Sequence, residues 1–216
     1  MNKQLFFDTV RSSVFKGKLS DTQVSGIENI ITYRDTQWPK MSNDELAYLL
    51  ATVAWETAWT MQPIKEMGGP DYLKSKKYYP WYGRGLIQIT WKANYDKFGI
   101  SSPDDALKWP KALDVCFRGM ILGMFTGKKL SDYIGASRDY VNARRIINGT
   151  DKAAEIAKVA ESFRSALVKG AGTAFPSSVP ETPKPPVVPE DTFRDKLISL
   201  LKNDVELQNL IKDITV

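Results

Sequence analysis

Apolar positions recur at helical spacing along most of the chain. Phe6, Val10 and Val14 predict a short helix over residues 6–15. Ser20 and Gln23 form a capping box, in which each side chain can satisfy a free backbone N–H. Val24, Ile27, Ile30 and Ile31 follow as the inner face of a helix ending near Arg34, before Trp38-Pro39. Ser42 and Glu45 form a second capping box. The helix behind it carries Leu46, Leu49, Leu50, Val53, Ala54 and Thr57 on one face. Residues 111–125, with Leu113, Phe117, Met120, Ile121 and Met124, predict a central buried helix capped by Gly127. Short helices are predicted from Asn94-Tyr95, from Ser102-Pro103 and over 128–134. Another is predicted over 140–148 with Gly149 as its stop. A last one runs from a Thr150 cap to about Lys169, with Ala157, Ala160, Phe163 and Leu167 inward. The fold class is mainly α.

Two stretches break this rhythm. Residues 72–82 are irregular and aromatic. Trp81 and Tyr82 suit either a groove for sugar rings, through a flat apolar face with a polar tip, or the core. Gly83-Arg84-Gly85-Leu86-Ile87-Gln88-Ile89-Thr90 reads as an extended segment. Its glycines permit a tight turn or close backbone approach. Leu86, Gln88 and Thr90 fall on one side and Ile87 and Ile89 on the other, a small strand able to line a polar cleft. Beyond the last helix, six of the twelve prolines fall in 171–190. The predicted division is a domain over 1–170, a Pro-rich linker over 171–190 and a C-terminal amphipathic helix over 191–216. That helix carries Phe193, Leu197, Leu200, Leu207, Ile211 and Ile214, a stripe that calls for docking on the main domain, on a copy of itself or on a partner.

The chain has no histidine and one cysteine, Cys116. Ser-His-Asp and Cys-His triads are therefore excluded, as are the common zinc sites. An intrachain disulfide is impossible, and Cys116 reads as a buried small hydrophobe. Acid–base chemistry falls to carboxylates, Tyr, Lys or that thiol. Residues 1–170 hold 25 basic against 18 acidic side chains, so the basic excess lies there and suits an anionic polymer. The basic residues are scattered, which argues against nucleic acid. No apolar run approaches the roughly 20 residues of a membrane span. Asp8 and Arg11 interrupt any signal-peptide core, so no cleavable signal is expected.

Carboxylate chemistry points to residues 47–66. Glu56 lies about 90° from the centre of its helix's apolar stripe, at the border of core and surface, where partial desolvation favours a protonated carboxyl. A solvated helix glutamate is the plainer alternative. The following loop brings Glu66, and the pair is a candidate for glycosidase chemistry. Arg144 and Arg145 point about 100° apart, so that one of them can turn inward towards a carboxylate.

Three separated stretches resemble glycoside hydrolase family 19, in its bacteriophage endolysin branch. They are Ala51-Thr-Val-Ala-Trp-Glu56-Thr57, then Gly83-Arg-Gly-Leu-Ile-Gln88-Ile-Thr90 with Asn94-Tyr95, then Ala143-Arg-Arg-Ile-Ile-Asn148-Gly149. The resemblance covers about residues 5–168. It implies a lysozyme-like helical fold with a cleft between two lobes, and hydrolysis of β-1,4 bonds to N-acetylated amino sugars. It further implies Glu56 as general acid, Glu66 as the base that activates water, and Thr90 as the hydroxyl that holds that water. Gln88 and Asn94 fall at substrate contacts. Arg84, Arg144 and Arg145 are candidates for positioning carboxylates. Glu45 and Asp71 are the other acids open for the base. The histidine usual before the catalytic Glu is Trp55 here. The family inverts, and inverting enzymes set their carboxyls about 6.5–9.5 Å apart to admit a water. No metal or cofactor is implied.

The expected function is a peptidoglycan-degrading endolysin, held in the host cytoplasm before release and acting on the wall, with the C-terminal helix serving self-association or docking to a phage or membrane-associated partner. A chitinase of the same mechanism is the nearest alternative, and a non-catalytic wall-binding or virion-associated module the more distant one.

Overall fold

Both predicted capping boxes close in the computed structural model, which describes residues 1–172. The linker and the C-terminal helix expected over 171–216 thus fall almost wholly outside the described residues. Ser20 accepts from the Gln23 N–H at 3.2 Å, and the Gln23 side chain accepts from the Ser20 N–H at 2.8 Å. They open α2, Asp21–Gln37. Ser42 and Glu45 repeat the exchange at the start of α3, Asn43–Glu56. Before them runs α1, Lys3–Ser13.

The chain then narrows into short pieces. Strand β1, Ile64–Lys65, pairs antiparallel with β2, Arg84–Gly85, in the register Ile64 to Gly85 and Lys65 to Arg84. Helix α4, Pro70–Lys74, lies between them, and α5, Lys92–Lys97, follows. After a 3-10 turn at Pro103–Leu107 come α6, Trp109–Leu122, and finally α7, Ala153–Ala171. The described residues are thus mainly helical, with one two-stranded sheet.

Helix α3 is the axis of the fold. Every residue from 46 to 54 is buried, because α7 and α2 enclose it. It therefore has no solvent face, where the sequence pattern suggested a single apolar stripe. Helix α7 lies between α3 and α1, with Ala160, Phe163 and Ala166 fully buried. Glycine sets one close approach: a Cβ on Gly26 of α2 would strike the Met61 carbonyl. Cys116 is buried in α6, and burial raises its thiol pKa.

Apolar side chains form two clusters. The larger joins α1, α2, α3, α6 and α7. The smaller gathers Ile89, Tyr95, Phe98, Ile100, Ala106 and Val115, and Phe125 packs against both.

Several expected elements differ. Residues 140–148 form only a 3-10 turn, Asn142–Ile146, and 128–134 form another, Leu130–Asp132. Helix α6 ends at Gly123, with φ 71°, rather than at Gly127. Gly123 takes the left-handed conformation that frees the chain to turn. Helix α7 starts after Lys152, itself left-handed at φ 58°, and Thr150 does not cap it. Among the described residues no helix is long and apolar enough to cross a membrane.

Candidate active site

Glu56 is the last residue of α3, so it projects where the buried helix ends. Its side chain is 16% exposed, and its Oε1 accepts from Arg144 Nη1 at 2.6 Å. A helix C-terminus carries partial negative charge, an unfavourable place for a carboxylate, and the guanidinium offsets it. Arg144 is itself 4% exposed. The 3-10 turn turns it inward, and its Nε donates to the Asp151 carbonyl at 3.1 Å. Its neighbour Arg145 points outward and only reaches Asn142 Oδ1 at 3.4 Å. One arginine of the adjacent pair thus meets a carboxylate, but from a 3-10 turn and not from the expected helix. Beneath them lies Tyr48, which is fully buried; burial raises its pKa, and the nearby Arg144 charge opposes the shift.

Glu66 follows β1 and is held at both oxygens. Tyr78 donates its hydroxyl to Oε1 at 2.8 Å, and the Gly83 N–H donates to Oε2 at 2.9 Å. Burial, and then this bond to Glu66, push the Tyr78 hydroxyl up to about 12, so it stays a donor across ordinary pH. Glu45 and Asp71 have other settings. Glu45 sits in the capping box at the far end of α3, about 16 Å from Glu56 at 1.5 Å per residue. Asp71 is exposed in the first turn of α4.

The segment after β2 is a tight hairpin, not the straight strand the alternation suggested. Arg84 and Ile89 exchange both backbone hydrogen bonds, at 3.2 and 3.0 Å. Gln88 takes a left-handed φ of 53° to make the turn. Leu86, Ile87 and Ile89 are all buried as a result, so the two sides of the segment no longer alternate. Gly85 has φ 85°, and a Cβ there would lie 2.8 Å from the Ala106 carbonyl oxygen. Gly83 instead makes room for side chains: a Cβ would meet Gln88 Oε1 at 2.8 Å and Glu66 Cβ at 3.4 Å. Glu66 and Gln88 therefore flank the same glycine. The Gln88 amide donates to the Ile64 and Gly85 carbonyls at 3.0 and 3.1 Å, tying the hairpin tip to both strands. Thr90 donates to the Gln88 carbonyl, and Asn94 to the Thr90 carbonyl.

A cleft of about 290 Å³ opens where these pieces meet. Glu56, Gln88, Thr90 and Asn94 line it, together with Ile87, Ile89, Trp91, Phe125, Ile147 and Asn148. Four of the expected site residues thus share one cavity. Glu66 stands beside Gln88 without lining it. The remaining candidates lie elsewhere. Arg84 is 4% exposed and bonds Asp104 at 2.8 Å, the Pro80 and Tyr82 carbonyls and Tyr95, with its guanidinium over the Tyr82 ring. It braces the hairpin rather than positioning Glu56 or Glu66. Tyr82 is the stacking partner in that brace, and its carbonyl accepts from Tyr95. Trp81 packs edge-on to Tyr95 in the smaller apolar cluster, the core alternative of its two readings.

Trp91, Phe125, Ile147, Asn148 and Tyr78 join or adjoin the cleft without being among the residues expected from the sequence. Asn148 and Ile147 do lie inside the stretch Ala143–Gly149, and Trp91 sits between Thr90 and Asn94. Phe125 reaches the cleft through tertiary packing, and Tyr78 belongs to the aromatic stretch over 72–82, though its bond to Glu66 is a tertiary contact.

The arrangement offers a carboxyl group, held by a guanidinium, beside a polar wall of amide and hydroxyl groups. Among the described residues no cluster of Cys, Asp or Glu is arranged to hold a metal ion. No family model, curated protein or solved structure matches the chain, so the residue pattern and this geometry carry the functional reading by themselves.

Proposed function

We propose that the protein is a glycosidase that cuts β-1,4 bonds between the N-acetylated amino sugars of the bacterial wall, acting as a lytic enzyme on a host. The observation that carries this reading is the cleft shared by Glu56, Gln88, Thr90 and Asn94. On this reading Glu56 gives its proton to the glycosidic oxygen as the bond from that oxygen to the anomeric carbon breaks. A water on the opposite face attacks the anomeric carbon. Glu66 takes the water's proton, and Thr90 orients the water. Gln88 and Asn94 hold the sugar's amide and hydroxyl groups, and Trp91 gives a ring for it to stack on. Arg144 keeps the Glu56 carboxyl in place. The enzyme accumulates in the host cytoplasm and works on reaching the wall.

The test is Glu56→Gln, assayed by clearing of purified wall suspensions. Loss of general acid catalysis lowers the rate by about a thousandfold. Full clearing by the variant rules the mechanism out. Product analysis on wall against chitin separates a lysozyme from a chitinase, and absence of bond cleavage on both by the wild-type chain leaves a binding module.

A further inference from the structure

The cleft has a lip that this mechanism does not use. Residues 65–92 hold six Lys or Arg against two acids, while the whole chain carries only +5. Lys65, Arg84 and Lys92 are neutralised by Asp104 and Asp96. Lys74, Lys76 and Lys77 enter no ion pair among the described residues, and Lys74 and Lys77 are exposed. Aromatic rings stand between these charges. Lys76 sits 3.8 Å over the ring of Tyr72, which is 48% exposed. Tyr79 is 47% exposed, and Trp91, which lines the cleft, is 50% exposed. Tyr78 joins the lip to the site: its ring packs edge-on against Trp91 at 5.3 Å while its hydroxyl holds Glu66.

We infer that this lip is an extended subsite for an anionic glycan, an amino-sugar chain whose pendant groups carry carboxylates. The inference rests on the glycosidase reading and narrows its substrate. A sugar chain leaving the cleft past Trp91 meets flat rings on which pyranose faces can stack. The ammonium groups of Lys74, Lys76 and Lys77 are placed for acidic groups that such a chain bears and that chitin lacks. A lipid surface is the weaker match. Helix α4 has only five residues, and aromatic faces here alternate with charges, where membrane seating needs a continuous apolar face.

The test uses the full chain with Glu56→Gln, so that no bond is cut, with and without Lys74→Gln, Lys76→Gln and Lys77→Gln. Both forms are titrated calorimetrically with soluble wall fragments bearing acidic peptide stems, and with neutral N-acetylglucosamine oligomers of the same length. The three changes weaken binding of the acidic fragments about tenfold at low ionic strength, and the difference disappears near 1 M salt, where screening is nearly complete. Binding of the neutral oligomers stays the same. Equal losses on both ligands, or no loss on the acidic one, overturn the inference. So does a result in which only adsorption to vesicles of anionic lipid responds. Wall clearing by Glu56→Gln alone is read separately and bears on the glycosidase reading, not on the lip.

Discussion

Arg144 is the residue on which the candidate acid depends. It is buried, and its two described side-chain hydrogen bonds go to Glu56 and to the Asp151 carbonyl. Removing it leaves a carboxylate, 16% exposed, without its partner at the negative end of a helix. Arg144→Ala should lower unfolding stability by about 3 kcal/mol, as breaking a buried pair does. Arg144→Lys keeps the charge but not the two-directional fork, and should fall between wild type and Ala. Urea unfolding reads the stability, and wall clearing reads the activity. Equal stability in all three proteins would mean the ion pair contributes nothing. Gly83 makes a second case. Its backbone is not left-handed, so the need for glycine is spatial: a methyl group would push on the Gln88 amide and reach Glu66. Gly83→Ala should cost only about 1 kcal/mol, since a side-chain end can shift. Its wall clearing should fall far more than its stability, and a variant with full clearing would place Gln88 and Glu66 outside the chemistry.

At the scale of elements, what was legible depended on how local the determinant is. Ser20–Gln23 and Ser42–Glu45 each act within four residues, and both boxes form as the sequence predicts. The inner face of α7 also follows its 3.6-residue spacing, since Ala160, Phe163 and Leu167 need only a core to point at. The hairpin over 84–89 escaped, because one left-handed residue, Gln88, converts an alternating pattern into a turn. Residues 140–148 read as a helix, yet the chain tightens to a 3-10 turn that sends Arg144 inward to Glu56. A contact 88 positions away in sequence overrides the local preference there. The same logic divides the site. Glu56, Gln88, Thr90 and Asn94 were visible through their motifs, and they meet in the cleft. Phe125 and Tyr78 belong to the site only through contacts made by the folded chain.

For the molecule as a whole, the absence of histidine shapes the response to pH. No side chain with an ordinary value near neutrality is present, and Cys116 is shifted up by burial. Tyr33, Tyr48, Tyr78, Tyr95 and Tyr140 are all shifted up as well, each chiefly by burial. A tyrosine whose folded value exceeds its unfolded one favours the folded state while protonated. Its contribution is complete below the unfolded value of about 10 and is lost as pH rises through the folded one. Urea midpoints should therefore be flat from about pH 6 to about pH 9 and drop steeply above about pH 10. A midpoint that changes within the neutral range would contradict this account.

The burial of α3 on every side has a mechanical meaning. Glu56 ends a helix that is buried all round over residues 46–54 and so cannot shift without opening the core. Glu66 hangs from a ladder two residues long, steadied by a tyrosine, a glycine and the tip of a hairpin. Any adjustment of the gap between the two carboxyls is then a displacement of Glu66 alone, with Glu56 as the stationary jaw.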